Sequence, residues 1–466
     1  MSTGAVAIES AGPGEPIVRD PNPGPLRALL HAGYDFVWVL ALVLLSPWWL
    51  LRCATDPAFR RMARERFGAA ADGRPPVDVG DGGGGRPRIL VHGVSVGEVL
   101  GAAPLITALR AEHPELEVVV TATTDTGLEV ARKRYPELVI ERFPLDASFL
   151  VNRFLRRVRP SVVVLIELEI WPNFLRLCNR RGIPVAVVNG RITQKSFRQY
   201  RVFRRILPQF NRISLFCVQL EEYAHRFREL GGRRERVTVT GNMKADGLAV
   251  DDPGGEPPPE IARYLAGTAG QRVIVAGSTH SPEERLVCEA WRQGAPEARL
   301  VLVPRHPPRV PEVQRDLAAR GVRVQLLSEL RRGEVPDPRR PVVVDSIGEL
   351  DSIYGLADIV FVGGSLMPHG GQNVLEPAAK GRPVIHGPHV QNFRQEAALL
   401  QRAGASALVH DTDELAAVLG ELARAPERCR AMGRAGRGAV LEQRGATELT
   451  LRALERQCLS PILAGP

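Results

Sequence analysis

The sequence predicts an α/β protein with two doubly wound parallel sheets, preceded by an apolar helix. Its 466 residues exceed what one hydrophobic core usually organises, which favours two domains. Short β-branched runs alternate with helical stretches in two series, as expected for buried parallel strands joined by crossover helices. The Pro/Gly-rich segment DDPGGEPPPE, at 251–260, separates the two series as a linker would.

The first part of the chain combines a Gly/Pro-rich lead with an apolar segment. Residues 1–28 are predicted to be disordered, because few of them can pack. The run FVWVLALVLLSPWWLL, 36–51, carries no charge, has tryptophans towards both ends and is followed by arginines. We therefore interpret 29–69 as a membrane anchor with a basic juxtamembrane segment on the cytoplasmic side of the inner membrane, and 70–87 as a linker.

The mode of membrane attachment stays open at this level. Sixteen apolar residues are short for a span and Pro47 can kink a helix, so spanning, re-entrant and interfacial helices all remain compatible. A buried core helix is a further alternative. A cleaved signal peptide fits less well, because arginines follow the run instead of small residues.

Composition excludes several classes of protein. With 44% apolar and 24% charged residues, the bulk of the chain is a folded protein. The net charge of +9 could favour nucleic acid, but the chain has no nucleic-acid motif and only 5% aromatic residues, so we expect no nucleic-acid partner. The six cysteines form no C-x-x-C pair, which argues for a reducing compartment. Lysine is rare, with four among 61 basic residues.

The two series define a Rossmann-like acceptor domain at 88–250 and a Rossmann-like donor domain at 261–466. Ligands of such sheets bind beyond the carboxyl ends of the strands. We expect the two domains to face each other across a cleft. The predicted strands are RILVHG, VVVTAT, VVVLIE, VAVVNG, LFCVQL and VTVTGN in the first series, and VIVAGS, LVLVPR, VRVQLL, PVVVDS, IVFVGG, PVIHG and ALVH in the second.

Glu98 follows the first predicted strand and a Gly/Ser-rich turn, where a helix should begin. A carboxylate there can simply favour the helix dipole, or it can act as a general base. The turn is not the G-x-G-x-x-G of dinucleotide sites. It matches the hydrolase pattern G-x-S-x-G only in its short core, without evident Asp and His partners.

Two further strand ends carry charged side chains. Glu167 and Glu169 lie two residues apart at the end of the apolar strand in VVVLIELEIWPN, hence on one side of the pleat, where carboxylates are costly unless they have partners or a task. Lys244 follows the last strand of the first series; surface lysine and site lysine are equally compatible readings.

The second series predicts an anion site. Arg305 and His306 end a strand between prolines, and IGEL at 347–350 follows another. In FVGGSLMPHGGQNVLEPAAKG the glycines allow close backbone approach to an anion, and Pro377 fixes the first turn of a helix. A helix N-terminus with free N–H groups binds anions, and Glu376 could accept hydrogen bonds from a ribose diol.

We expect no metal site. The Asp411-Thr412-Asp413 triplet resembles the D-x-D of metal-dependent sugar transferases but is more simply a helix N-cap. The basic segments 153–159 and 201–212 fit anionic lipid, acceptor phosphates or solvated helix faces equally well.

Ten ordered motifs carry a resemblance that covers roughly residues 30–450. They are HGVSVGEV, TATTDTG, ELEIWPN, NGRIT, GNMKAD, GSTHSPEE, LVPRHPPR, SIGEL, FVGGSLMPHGGQNVLEPAA and GPHVQNF. In order and spacing they resemble the bacterial Kdo transferases, the 3-deoxy-D-manno-octulosonic acid transferases of lipid A assembly.

This resemblance implies a glycosyltransferase B fold and an inverting, metal-independent transfer of Kdo from CMP-Kdo to a lipid A precursor (lipid IVA) at the inner membrane. It implies no cofactor beyond the donor substrate. The implied roles are general base for Glu98, transition-state stabilisation for Glu167 and Lys244, and CMP contacts for Pro304, Arg305, Ile347, Gly348, Glu349, Asn373, Val374, Leu375 and Glu376.

The sequence departs from the family at Gln372, where many relatives have histidine, and in its longer lead. The physical account needs a base for the acceptor hydroxyl and an anion clamp for the departing CMP. Alternatives are a related enzyme using a UDP- or GDP-sugar, a nucleotide-sugar epimerase and a non-catalytic membrane-tethered nucleotide-binding module. The number of Kdo units and the oligomeric state stay open.

Overall fold

The computed structural model of the chain describes residues 25–68, 86–204, 209–248, 250 and 259–463. The predicted lead therefore lies mostly outside the described residues, as do most of the predicted linkers 70–87 and 251–260. The chain divides into two compact units. The first comprises Met1–Gly247 and Arg444–Pro466, and the second comprises Leu248–Gln443.

The chain begins with two helices, α1 (Pro25–Thr55) and α2 (Pro57–Arg66). Among the described residues α1 is the helix long and apolar enough to cross a membrane by length and composition, with a mean hydropathy of 1.9 over its best window. Asp56 separates the helices, and its carboxylate caps α2 by accepting hydrogen bonds from the N–H groups of Ala58 and Phe59.

The first unit contains a parallel sheet of seven strands in the order β3-β2-β1-β4-β5-β6-β7. The strands are β1 (Arg88–Gly93), β2 (Glu117–Ala122), β3 (Val139–Arg142), β4 (Val162–Ile166), β5 (Val185–Gly190), β6 (Leu215–Val218) and β7 (Val237–Val239). Both faces are covered, since Ile89 and Val91 join one apolar cluster and Leu90 joins the other. Burial on both faces explains why these strands read as continuous apolar runs.

Helices cross between these strands. They are α3 (Val96–Gly101), α4 (Ala103–Glu112), α5 (Asp125–Arg134), α6 (Ser148–Val158), α7 (Pro172–Arg180), α8 (Gln194–Phe203) and α9 (Glu221–Glu229). Short 3-10 turns lie at Phe210–Arg212, Arg234–Arg236 and Met243–Ala245.

The second unit repeats this architecture, with the strand order β10-β11-β9-β8-β12-β13-β14. Its strands are β8 (Val273–Thr279), β9 (Arg299–Pro304), β10 (Gln325–Leu326), β11 (Val342–Val343), β12 (Ile359–Val362), β13 (Val384–His386) and β14 (Ser406–Leu408). Its helices are α10 (Pro259–Leu265), α11 (Glu283–Gly294), α12 (Val310–Ala318), α13 (Leu327–Arg331), α14 (Leu350–Leu356), α15 (Leu375–Ala379), α16 (Arg394–Arg402), α17 (Thr412–Arg424) and α18 (Pro426–Glu442). The two doubly wound sheets confirm the predicted fold class, and Asp411 caps α17 as predicted, accepting a hydrogen bond from the N–H of Glu414.

The C-terminal segment corrects the predicted domain boundary. The sequence analysis assigned everything up to residue 466 to the second domain, but the chain from Arg444 onward belongs to the first unit. It contains α19 (Ala446–Leu454), a π-helical turn and α20 (Ser460–Leu463). The carboxylate of Asp246 accepts hydrogen bonds from the N–H groups of Gly445 (2.8 Å) and Thr447 (2.6 Å), and Leu451 enters the apolar cluster of the first unit.

Candidate active site

The predicted acidic residues of the first unit lie where its strand order reverses. β1 is flanked by β2 and β4, so the loops after β1 and β4 leave the sheet in opposite directions and open a crevice between them. Glu98 follows β1, in the first turn of α3, and Glu167 follows β4 directly. The fold thus places both carboxylates at the position where doubly wound sheets bind ligands.

Glu98 is partly buried and folds back over its own loop. One carboxylate oxygen accepts a hydrogen bond from the N–H of Val94 at 2.7 Å, and the other accepts from the hydroxyl of Ser95 at 3.1 Å. A Cβ at position 93 would lie 3.0 Å from that of Glu98, so Gly93 permits the close approach. Burial raises the pKa of Glu98, and the negative charge of Glu167 adds to the rise, whereas the two hydrogen bonds and Lys244 oppose it.

Glu167 is buried and held by two cations. The ammonium of Lys244 lies 2.9 Å from one carboxylate oxygen, and Nε of Arg191 lies 2.7 Å from the other. Its backbone has a φ of +64°, in the left-handed region that residues with a side chain adopt at a cost of about 1–3 kcal/mol. Strain at a strand end that aims a charged side chain is typical of functional sites.

Lys244 is positioned by two asparagines. The backbone N–H of Lys244 donates to the side-chain oxygen of Asn242 at 3.1 Å. The neighbouring backbone N–H of Met243 donates to the side-chain oxygen of Asn189 at 3.2 Å. The side chain of Lys244 passes along α3 beside Gly101. Lys244 is therefore held against a buried carboxylate.

Glu169 joins the same group of carboxylates. Its carboxylate accepts a hydrogen bond from the indole N–H of Trp171 at 3.0 Å. Burial raises the pKa of Glu169 to about 8, and the negative charges of Glu98 and Glu167 contribute. The sequence identified Glu169 as costly at a strand end, but the resemblance assigned it no role. The first unit thus offers a partly buried carboxylate, a neutral carboxyl and a cation in one place, which suits proton transfer from a substrate hydroxyl.

The glycine-rich loop of the second unit holds an anion from the protein itself. The buried carboxylate of Glu283 accepts hydrogen bonds from the N–H groups of Gly364 (2.6 Å), Ser365 (2.9 Å) and Leu366 (3.0 Å), and from that of His280 (2.9 Å). The sequence analysis predicted this loop as a site for an anionic ligand; the N–H groups of Gly364, Ser365 and Leu366 instead donate to Glu283. Sequence reasoning missed this residue.

The residues after this loop surround Glu376. Asn373 donates from its amide to Glu376 at 3.0 Å and accepts the N–H of Leu375 at 3.1 Å, just before α15 begins. Pro377 lies in the first turn of α15, as predicted. Burial raises the pKa of Glu376, and Asn373 and Arg305 counteract the rise. Arg305 is exposed and directly follows Pro304, the last residue of β9.

The other predicted nucleotide contacts differ in what they can present. Ile347 has an exposed side chain (81%), next to Gly348 at a φ of +91°. Arg331 pairs with both oxygens of Glu349 at 2.9 Å and lowers the pKa of that carboxyl. The side chains of Val374 and Leu375 are buried, so contacts to a nucleotide there would come from the backbone.

Three histidines from separate motifs meet beside the glycine-rich loop. The ring of His280 stacks on His369, with centroids 4.5 Å apart, and meets the edge of His306 at 5.6 Å. Gln372 lies 3.2 Å from Nε2 of His280. Burial, together with the adjacent histidines and Arg309, lowers the pKa of His280 to about 4, so the ring is neutral. Each motif was visible in the sequence, but their meeting was not.

Comparisons with known proteins define the class and then the family. A crystal structure of a glycosyltransferase from Rickettsia africae superposes with a TM-score of 0.54 at 12% identity, over 82% of this chain and 100% of that one. The two doubly wound units therefore form a glycosyltransferase B fold.

The sequence relatives narrow this class. A family profile described as 3-Deoxy-D-manno-octulosonic-acid transferase (kdotransferase) matches residues 61–247. The chain is 32% identical to the 3-deoxy-D-manno-octulosonic acid transferase of Haemophilus influenzae over 86% of this chain and 92% of that protein. It is 33% identical to the enzyme of the same name from Bordetella pertussis over 90% and 98%. The chain belongs to the Kdo transferase family of glycosyltransferases.

Proposed function

We propose that this enzyme transfers Kdo from CMP-Kdo to a lipid A precursor, lipid IVA, with inversion and without a metal ion. The observation that carries the proposal is the group of Glu98, Glu167 and Lys244 at the strand-order reversal of the first unit, in a chain of the Kdo transferase family. No cofactor beyond the donor substrate is required.

In this mechanism Glu98 is the general base. The acceptor hydroxyl oxygen attacks the anomeric carbon of Kdo from the face opposite CMP, and its proton passes to the carboxylate of Glu98. The bond between the anomeric carbon and the CMP phosphate oxygen breaks, and the electron pair leaves with CMP. A single displacement of this kind inverts the anomeric centre. The raised pKa of Glu98 brings it closer to the operating pH, as suits a base.

The pair of Glu167 and Lys244 supports charge development in the transition state. The anomeric carbon gains positive charge as CMP departs, and the buried carboxylate of Glu167 counters it. Lys244 pairs with Glu167 at its buried position and supplies a cation for the negative groups of the substrates. A preorganised pair of this kind requires no rearrangement when the charge appears.

The second unit is proposed to hold CMP. Arg305 offers an exposed guanidinium for the phosphate, and the partly buried Glu376, kept in place by Asn373, offers a carboxyl for the ribose hydroxyls. Ile347 offers an exposed apolar side chain beside Gly348, which has a left-handed backbone conformation. The cytosine ring of CMP can lie against this side chain.

The acceptor is proposed to be a lipid at the cytoplasmic side of the inner membrane. The apolar helix α1 supports membrane attachment, which would raise the effective concentration of a lipid-bound acceptor at the site.

The test is incubation of the full chain with CMP-Kdo and lipid IVA, followed by mass spectrometry of the lipid. We expect a mass increase of one or more Kdo units, with release of CMP and no loss of rate in a chelator. Glu98→Gln should lower the rate at least about 100-fold while CMP binding persists. Glu129→Gln, an exposed carboxylate on α5, is the matched control.

The alternatives give different products. An enzyme using a UDP- or GDP-sugar would release UDP or GDP, and an epimerase would need no acceptor. If Glu98→Gln transferred Kdo at the unchanged rate, the assignment of the base would be wrong.

A further inference from the structure

Helix α1 is attached to the first unit at both ends of its apolar segment. Directly before the apolar segment, Asp35 accepts hydrogen bonds from the N–H of Ser148 (2.9 Å) and the amide of Asn173 (2.8 Å). It also pairs with Arg176 at 3.5 Å. Tyr34 donates its hydroxyl proton to Asp146 at 3.1 Å. Asp35, on α1, thus caps α6, so this part of α1 is an integral part of the fold.

The far end of the segment is fixed through α2. Trp49 packs edge-on against Phe59 and Phe67, with ring centroids 5.3 and 5.7 Å apart. On α2, Glu65 accepts a hydrogen bond from the buried Arg142 at 2.7 Å. The neighbouring Arg66 donates to the carbonyl of Thr123 at 3.0 Å. The contacts of Asp35 and of α2 therefore belong to one folded unit.

These attachments conflict with a helix that crosses the bilayer. In a span, Asp35 and α2 would lie on opposite sides of a hydrocarbon layer about 30 Å thick. The residues that bind them would then be separated by the membrane, although they belong to one folded unit. The apolar segment 36–51 is also only about 24 Å long at 1.5 Å per residue.

The sheltered residues of α1 follow a single helical stripe along its whole length. They recur every three or four positions, at His31, Tyr34, Asp35, Trp38, Ala41, Leu42, Ser46, Trp49 and Cys53. The opposite face is exposed and apolar, as at Phe36 (64%), Leu40 (43%) and Leu44 (69%). One protected and one exposed apolar face is the pattern of a helix lying in the plane of an interface.

Charge and shape indicate what covers this face. Arg52, at the end of α1, and Arg60, Arg61 and Arg64, on α2, are exposed and match the anionic headgroups of a bilayer. Between α1 and α2 lies a cavity of about 340 Å³ that is lined largely by apolar side chains, including Leu42 and Trp49. Such a cavity accepts a hydrocarbon chain without burying an unpaired polar group.

We propose that α1 does not span the membrane but lies in the cytoplasmic interface of an anionic bilayer, with Phe36, Leu40 and Leu44 facing the lipid and Asp35 holding the helix on the first unit. Residues on both sides of the apolar segment then lie on the side of the membrane that carries the catalytic units. This proposal concerns topology and does not depend on the proposed reaction.

Labelling with a membrane-impermeant maleimide tests the topology in the full chain. Ala28→Cys, before the apolar segment, and Lys133→Cys, an exposed position on α5, are made separately in a Cys53→Ser background, where the other native cysteines are buried. We expect both to react in inverted inner-membrane vesicles and both to be protected in intact spheroplasts. Reaction of Ala28→Cys from the spheroplast exterior, with Lys133→Cys protected there, would overturn the proposal.

Spin labels give the depth independently. With the protein bound to vesicles of phosphatidylethanolamine and phosphatidylglycerol (3:1), labels at Phe36→Cys, Leu40→Cys and Leu44→Cys in that background should show equal, shallow depths from oxygen accessibility, and a label at Leu42→Cys should show less lipid exposure. A depth that increases steadily from 36 to 44 would contradict an in-plane helix. Spin–spin broadening without lipid exposure would show that a second copy of the chain covers the face, and would also overturn the proposal.

Discussion

The ammonium of Lys244 lies 2.9 Å from Oε1 of Glu167, and the two residues come from different strand ends, 77 positions apart. Arg191 occupies the second oxygen of Glu167 at 2.7 Å. The carboxylate is therefore fixed in direction, and the cation lies close enough to influence Glu98 as well. The predictions about the first unit depend on this coupling.

Replacement of Lys244 by methionine should reduce the turnover number about 10- to 100-fold, because one preorganised charge is lost from the site. Lys244 opposes the rise in the pKa of Glu98, so its loss should raise that pKa further. Since a base works in its ionised form, the acidic limb of the pH–rate profile should move to higher pH. Steady-state kinetics between pH 5 and 9 measure both effects.

Lys244→Arg is the matched variant for this experiment. It keeps the positive charge but alters the contact with Glu167, so the acidic limb should stay near that of the unchanged enzyme even if the rate falls. An unshifted limb in Lys244→Met would show that Lys244 does not act on the base.

Glu169→Gln should raise thermal stability most at alkaline pH. The folded chain raises the pKa of Glu169 from 4.5 to about 8, so it favours the neutral carboxyl. The stability that this preference contributes is complete below pH 4.5 and is lost as the pH rises through 8. Glutamine stays neutral, so its advantage in unfolding temperature should grow between pH 5 and 8.5. Glu129→Gln, on an exposed face, should show a constant difference, and equal differences for Glu169→Gln at both pH values would refute the assignment.

Glu283→Ala should destabilise the second unit by about 3 kcal/mol or more, because it leaves several buried N–H groups without an acceptor. The loop that these groups hold precedes Asn373, so CMP affinity should fall as well. Differential scanning calorimetry and CMP titration measure the two effects. Glu289→Ala, on the more exposed side of α11, is the control and should change neither. A stable Glu283→Ala with weakened CMP binding would mean that the carboxylate acts on the nucleotide directly.

The sequence predicted most of the sheet but not its edge strand. Apolar β-branched runs mark strands that are buried on both faces, and these were found. β3 was not predicted because half of its residues are charged. Their burial depends on partners distant in the sequence, Arg157 for Glu141 and Glu65 for Arg142. The packing of α19 on the first unit was not predicted for a similar reason. The amphipathic pattern of a helix does not indicate which of two hydrophobic cores it packs against. The cap on α19 comes from Asp246, about 200 positions earlier.

The same distinction applies to the site. Glu98, Glu167 and Lys244 could be identified because each follows a predicted strand, and parallel strands end at one edge of a sheet. The role of Glu283 could not be identified from the sequence, because two adjacent glutamates, Glu283 and Glu284, are typical of the first turn of any helix. Only the fold brings Glu283 against N–H groups 81 to 83 positions away.

Asp35→Ala should lower the unfolding temperature of the full chain in detergent, where no bilayer is present. The substitution removes a cap from α6 and leaves Arg176 and Asn173 with fewer partners, so a loss of about 2 kcal/mol and a fall of about 4–8 °C are expected for a unit of this size. Asp56→Ala removes only the local cap of α2 and should cost about 1 kcal/mol. A helix that merely anchored the enzyme would detach without consequence for the folded unit, so an unchanged unfolding temperature in Asp35→Ala would separate α1 from the fold and favour a span. Thermal unfolding followed by circular dichroism, with both variants side by side, decides between the two.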